Sequence, residues 1–276
     1  MKKFVLLVIF TIPLMAFCQS CCVVSATEAF ADLGKQEKFQ KMHDEPVPFD
    51  FLPQGADITF PVNGGAEGRA YVIRAAKPTF NYLFVFHEWW GLNDHIRLMG
   101  ETFFEDLGDV TVVCLDLYDG KFTADRDEAS ALMSGANEER VRAIIDGAIN
   151  YVGPRAQIAT VGWCFGGGWS LQAAIAAHEQ AVGCVVYYGM PEKDEVKLSQ
   201  LEADVLGIFA AKDGWITPKV VKEFENTMIR LEKNVDVVTF DADHAFANPS
   251  SKKHDKKAAK QAYDIVLEFL QAHFNG

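Results

Sequence analysis

A glycine-bracketed cysteine between an apolar strand and a helix constrains this chain more than any other feature. Gly162-Trp163-Cys164-Phe165-Gly166 follows Ile158-Ala159-Thr160-Val161 and leads into Gly167-Gly168. Turning from a buried strand into a helix while lifting one side chain clear of the sheet demands strained backbone angles at that residue. Small neighbours keep such a turn free of clashes. The pattern has the Gly-x-nucleophile-x-Gly form, with cysteine where serine is more usual. Alone it is a weak signal, because buried cysteines are common and inert; the strand-turn-helix context gives it weight. At a helix N-terminus the macrodipole favours the thiolate, so Cys164 is expected to be the one rapidly alkylated thiol of the folded core. Cys114, within 110–115, and Cys184, within 182–186, read as inert strand cysteines.

The order of elements points to one fold class. Apolar runs occur at 57–62, 69–75, 81–86, 110–116, 156–161, 182–188, 204–210 and 235–240. From 81 onward they mostly alternate with helical patterns. Val141, Ile144, Ile145, Ala148, Ile149 and Val152 recur at three and four; Thr217-Pro218 opens a second helix; Ala262, Ile265, Val266, Phe269 and Leu270 make a closing one. Continuous apolar strands alternating with helices predict an α/β fold, with a mostly parallel central sheet and helices on both faces.

The N-terminus is a separate matter. Lys2-Lys3 and the apolar run 4–17, with a small-x-small boundary at Ala16-Phe17-Cys18, read as a secretory signal peptide over 1–18, with a later boundary possible at 26. The run is too short for a comfortable membrane span. Export to the periplasm or medium is therefore expected, with lipid attachment at Cys18 or Cys21 the weaker alternative. Cys18-Gln19-Ser20-Cys21 lacks the strand-helix setting of a redox pair. Residues 19–56 read as a polar, Pro-punctuated, extended lead-in, and 57–276 as one domain. An exported free thiol meets an oxidising compartment. The formal net charge of −12 argues against a nucleic-acid partner.

The partners of a cysteine nucleophile belong on loops after later strands. Asp213 follows the run ending Phe209-Ala210-Ala211, and His244 follows the run ending Val238-Thr239-Phe240. Nucleophile, acid, histidine is the chain order of an α/β-hydrolase sheet. His244 would take and return a proton, and Asp213 would fix its tautomer. Asp241 and Asp243 lie close to His244 along the backbone, which leaves Asp241 open as an alternative orienting group. His87, Glu88 and His95 lack the spacing of a helical metal motif, so no metal or cofactor is expected.

His87-Glu88-Trp89-Trp90-Gly91, Asp116-Leu117-Tyr118, Gly162–Gly167, Asp213 and His244-Ala245-Phe246, in that order, resemble the dienelactone hydrolase (carboxymethylenebutenolidase) family over roughly 57–273. The resemblance implies an α/β-hydrolase fold and a Cys164–Asp213–His244 triad. It also implies that Glu88 contacts the resting thiol and helps to activate it. Backbone N–H groups of Phe165 and Trp89 would form the oxyanion hole. Two departures stand out. Where the family's lactone hydrolases carry arginines for the substrate carboxylate, this chain has Gly120 and Asn248; Lys121 replaces the first only as a point charge. Trp90, Trp163 and Phe246, with Lys121 and Asn248, are the candidate substrate contacts, and the aromatics suit a neutral or apolar acyl group. The expected activity is cleavage of a small-molecule ester or lactone through an acyl-cysteine. The alternatives are acyl transfer or thioester cleavage at the same site, or a weakly catalytic binding protein. A monomer or small homo-oligomer is expected.

Overall fold

The computed structural model describes residues 24–249, 251 and 253–275. Its strands are β1 (Ala56–Phe60), β2 (Gly68–Ile73), β3 (Asn81–Phe86), β4 (Thr111–Asp116), β5 (Gln157–Trp163), β6 (Ala181–Tyr187), β7 (Asp204–Ala210) and β8 (Val235–Phe240). They form one eight-stranded sheet in the order β1-β2-β4-β3-β5-β6-β7-β8. Only β2 runs against the rest. A short connection joins β1 to β2, so they pair antiparallel, as β2 does with β4; every other pair is parallel. The inner parallel strands are buried on both sides, which is why they read as continuous apolar runs, whereas the edge strand β8 is half exposed.

The helical layers follow from the amphipathic patterns. α3 (Asp94–Leu107) and α9 (Lys256–Phe274) pack together on one face, and α5 (Glu138–Val152) and α6 (Phe165–Ala177) pack together on the other. α5 starts at the Asn137 cap and buries Val141, Ile144, Ile145 and Ala148. Between β7 and β8, helix Pro218–Arg230 begins on the Thr217 cap with proline in its first turn and turns Val221, Phe224 and Met228 inward. α6 differs from these. It is apolar all round and nearly every residue is buried, as a helix wedged between the sheet and its neighbours must be.

Residues 26–43 depart from the extended lead-in that their polarity suggests. They fold into α1 (Ala26–Ala31), a 3-10 turn (Asp32–Lys35) and α2 (Glu37–Gln40). Ser25 caps α1 by accepting from the Glu28 N–H at 3.0 Å. The Gln40 amide donates to the Gly34 carbonyl at 2.8 Å and to Ser130 Oγ at 3.0 Å, tying the segment to helix Arg126–Ser134. Phe30 and Phe39 are its buried anchors. Two well-placed phenylalanines dock a segment whose average composition is polar. This cap lies over the carboxyl ends of the strands.

Candidate active site

Cys164 links β5 to α6 at φ 55°, ψ −117°, a left-handed conformation that a non-glycine residue adopts only when its surroundings impose it. Its N–H donates to the Tyr187 carbonyl at 3.0 Å, and its own carbonyl accepts from Gly167 at 3.1 Å. The bracketing glycines are there for space. A Cβ on Gly162 would lie 2.1 Å from the Gly166 carbonyl oxygen, and one on Gly166 would lie 2.4 Å from the His87 carbonyl oxygen.

Asp213 and His244 come to the nucleophile from the ends of β7 and β8. Asp213 Oδ1 accepts from the N–H groups of Trp215 at 2.8 Å and Ile216 at 3.0 Å, which fixes the carboxylate in its turn. Oδ2 accepts from His244 Nδ1 at 2.6 Å, and His244 Nε2 lies 3.4 Å from Cys164 Sγ. Asp241 is turned away, paired with Lys212 at 3.0 Å, so Asp213 is the group that orients the imidazole.

Burial and charge act against one another here. Burial alone would lower His244, but the Asp213 carboxylate, with Cys164 beside it, overrides that and pushes the imidazole up to about 10. Asp213 is held below the ordinary carboxylate range despite its own burial, because His244 and two backbone N–H groups stabilise its charge. The thiol moves the other way. Burial pushes Cys164 above its ordinary value, although His244 and the Phe165 N–H both favour the thiolate. The macrodipole argument for a free thiolate is thus outweighed by burial. Asp213 and His244 favour each other's charged forms, while burial favours the protonated form of the thiol.

Glu88 is buried on the loop after β3. Its Oε1 accepts from the Asn248 side-chain amide at 2.7 Å, whereas Oε2 has no partner among the described residues. Burial pushes its carboxyl up to about 7, against the pull of Asn248 and His244. The resemblance implied contact between Glu88 and the resting thiol; the thiol's hydrogen-bond partners among the described residues are His244 and His43 instead. Asn248, expected as a substrate contact, holds Glu88 in place.

The remaining candidates divide. Trp89 and Trp90 are buried against each other at 4.7 Å between ring centroids. Trp163 stacks on Tyr187 at 5.5 Å and, with Glu88, Tyr188 and Asn248, lines a cavity of about 40 Å³. Phe165 opens α6 with its ring 5.5 Å from Tyr118, and Phe246 is core, packed on Tyr188 and Phe240 at 5.7 and 5.2 Å. Lys121 is exposed and lines a different cavity of about 380 Å³ with Asp57, Arg69 and Arg97. Gly120 has φ 90°, a conformation that disfavours any side chain there, although space is not limiting, with Arg69 in ordinary contact at 3.7 Å. His87 is structural: Nδ1 donates to the Glu88 carbonyl at 2.6 Å and Nε2 accepts from the Leu117 N–H at 3.1 Å.

One group at the site has no signal in the local sequence. His43, at the end of the cap, places Nε2 3.7 Å from Cys164 Sγ, with its ring 4.5 Å from Trp89. Its Nδ1 donates to the Phe39 carbonyl at 2.9 Å. Burial, reinforced by the charge on His244, pushes it down to about 3, so it is neutral. His43 and Phe39 seal the nucleophile. Cys164 and His244 are each 0 % exposed and His43 is 2 %. The rapid alkylation expected at Cys164 therefore does not describe the closed state.

Known proteins give this geometry a family. The dienelactone hydrolase family pattern matches residues 69–274. Carboxymethylenebutenolidase 1 of Cupriavidus pinatubonensis is 26% identical over 238 residues, covering 79% of this chain and 97% of that protein. Among solved structures, the dienelactone hydrolase of Anabaena variabilis superposes with a TM-score of 0.58 at 18% identity, covering 80% of this chain and 99% of that one. A dienelactone hydrolase-like promiscuous phosphotriesterase from metagenomic libraries superposes at 0.66, also at 18% identity, covering 80% and 99%. With its sheet order, its elbow and a family match spanning 69–274, the chain belongs to the dienelactone hydrolase family, hydrolases that act on lactone and ester bonds of small molecules.

Proposed function

We propose that this protein is an exported hydrolase that opens an ester or lactone through an acyl-Cys164 intermediate. The observation that carries the reading is the contact chain from Asp213 through His244 to Cys164, at 2.6 and 3.4 Å, on a strained elbow. With His244 already protonated by its pairing with Asp213, the thiol's proton needs another acceptor. Glu88, pushed up to about 7 and with Oε2 unpartnered, supplies one. The thiolate attacks the carbonyl carbon, and the oxyanion is received by the backbone N–H groups of Phe165 and Trp89. Collapse breaks the carbon–oxygen bond, and the leaving alkoxide takes the Nε2 proton of His244. Neutral His244 then draws a proton from water, whose hydroxide cleaves the thioester, and the departing thiolate recovers its proton from Glu88.

Substrate and compartment follow from smaller features. Gly120 offers no cation and Asn248 is engaged by Glu88, so neutral short-chain esters should be preferred to anionic lactones. The leader lies outside the described residues, and no helix among those described is long and apolar enough to cross a membrane. Intact-mass measurement on the exported protein tests the leader; a mature chain beginning at Met1 would refute its removal. Acyl transfer is the second reading, favoured by a sealed site that withholds water from the thioester. Mass spectrometry of Cys164→Ala and the parent chain, mixed with a chromogenic ester, tests the nucleophile. The parent should gain the acyl mass on Cys164 and the variant should neither gain it nor turn over. Full ester hydrolysis by Cys164→Ala would end the reading, and a competing alcohol separates transfer from hydrolysis.

A further inference from the structure

The triad employs one imidazole at its thiol, yet two converge on Cys164. His43 Nε2, Cys164 Sγ and His244 Nε2 all lie within 4.8 Å of one another. The two nitrogen–sulfur separations are 3.7 and 3.4 Å. A cation bonded to sulfur at about 2.3 Å and to imidazole nitrogen at about 2.0–2.1 Å, at tetrahedral angles, needs its ligands about 3.5 Å apart. Both nitrogen–sulfur separations already match that spacing, and the two nitrogens lie within 4.8 Å of each other.

The opposite sides of the two rings strengthen this. Ligating histidines characteristically donate their second N–H to a carboxylate or a backbone carbonyl, which fixes the tautomer and turns the lone pair to the metal. His244 Nδ1 meets the Asp213 carboxylate, and His43 Nδ1 meets the Phe39 carbonyl. A carbonyl only accepts, so Nδ1 of His43 carries the hydrogen and Nε2 presents a bare lone pair towards the sulfur. The rings of Phe39, Trp89, Trp215 and Tyr188 surround the two imidazoles. One thiolate and two neutral imidazoles suit zinc and its thiophilic neighbours and are a poor set for calcium or magnesium.

We infer that His43, Cys164 and His244 together bind a thiophilic transition cation, with Zn²⁺ as its representative, and that the bound ion silences the hydrolase. The inference rests on Cys164 being the nucleophile. Binding forms one metal–sulfur and two metal–nitrogen bonds. It releases to solvent the Sγ proton of Cys164 and the Nε2 proton of His244, with no change of oxidation state. The ion takes the nucleophile's lone pairs. It also fastens the cap, which carries His43, to the sheet loops that carry the other two ligands.

The test uses the mature chain from residue 19 with Cys21→Ser and Cys22→Ser, so that those thiols compete for no metal. Titration with Co²⁺ should give a thiolate-to-metal charge-transfer band in the near ultraviolet that disappears in Cys164→Ser. His43→Gln keeps an amide donor for the Phe39 carbonyl but loses the imidazole ligand, and near-ultraviolet circular dichroism checks that it folds. It should weaken Zn²⁺ binding, and raise the Zn²⁺ needed to inhibit turnover, by about tenfold or more. Absence of the charge-transfer band, or equal Zn²⁺ affinity in His43→Gln and its parent, overturns the site. The nucleophile stands or falls separately, on metal-free turnover by Cys164→Ala, so the two failures are distinguishable.

Discussion

Truncating Phe39 to alanine should open the active site while leaving the domain folded. Phe39 is fully buried, with ring centroids 4.5 Å from His43, 5.3 Å from Trp215, 5.8 Å from Phe30, 5.9 Å from Trp89 and 6.1 Å from His244. Phe→Ala at such a position costs about 3–5 kcal/mol. The cap adds no strand to the sheet and docks through side chains, so that loss should appear first as local opening rather than global unfolding. At about 1.4 kcal/mol per tenfold, the open population should rise by about 10²–10³-fold. Timed iodoacetamide labelling with peptide mass spectrometry reads this as the alkylation rate of Cys164. Cys114 and Cys184 are internal references, since both are buried and burial pushes their thiols up, Cys184 to about 11. The expected result is a large gain at Cys164 with the references silent. An unchanged Cys164 rate would refute the cap as the barrier, and a parallel rise at Cys114 would show that the whole domain had opened.

Asp213→Asn should reduce kcat by about 10³–10⁴-fold with little change in the melting transition, because the imidazole loses the partner that fixes its tautomer; steady-state kinetics beside a thermal scan checks it. Glu88 must be ionised to accept a proton and is pushed up to about 7, so kcat/KM should rise as pH increases through about 7. In Glu88→Gln that limb of the pH–rate profile should vanish; a profile unchanged in shape would remove Glu88 from the proton path. Gly162→Ala places a Cβ 2.1 Å from the Gly166 carbonyl oxygen. It should destabilise the fold by about 1–3 kcal/mol or more in a urea titration.

Much of the sheet and the triad's chain order was legible because both rest on local pattern. Continuous apolar runs mark strands buried on both faces, and the Gly-x-Cys-x-Gly turn between one of them and a helix marks an elbow. Asp213 and His244 stood out because strand ends in such a sheet share one edge. The cap was illegible for the opposite reason. Residues 26–43 are polar on average, and their docking depends on Phe30 and Phe39 meeting surfaces made by Trp89, Trp215 and His244, far away in sequence. His43 has no periodicity or motif around it; only tertiary packing brings it to the thiol. The pairing of Asn248 with Glu88 was equally hidden, since it joins loops 160 residues apart.

The two buried carboxylates of the site have been pushed in opposite directions. Asp213 is held low by His244 and by two backbone donors, so its charge persists whether or not the site is wet. Glu88 and Cys164 are raised first of all by burial, so their protons are held only while the site stays dry. Lifting the cap, which covers Cys164 through His43, would restore part of that thiol's solvation and let it fall towards its ordinary value. An opening that admitted a substrate would therefore also make the nucleophile easier to ionise. The same coupling would protect a free thiol if the protein is exported as proposed. Oxidants attack an accessible thiolate, and the closed site offers neither access nor charge. Reactivity and vulnerability would then be confined to the same brief open state, and a substrate that fills the site as the cap lifts would shorten the exposure to oxidants.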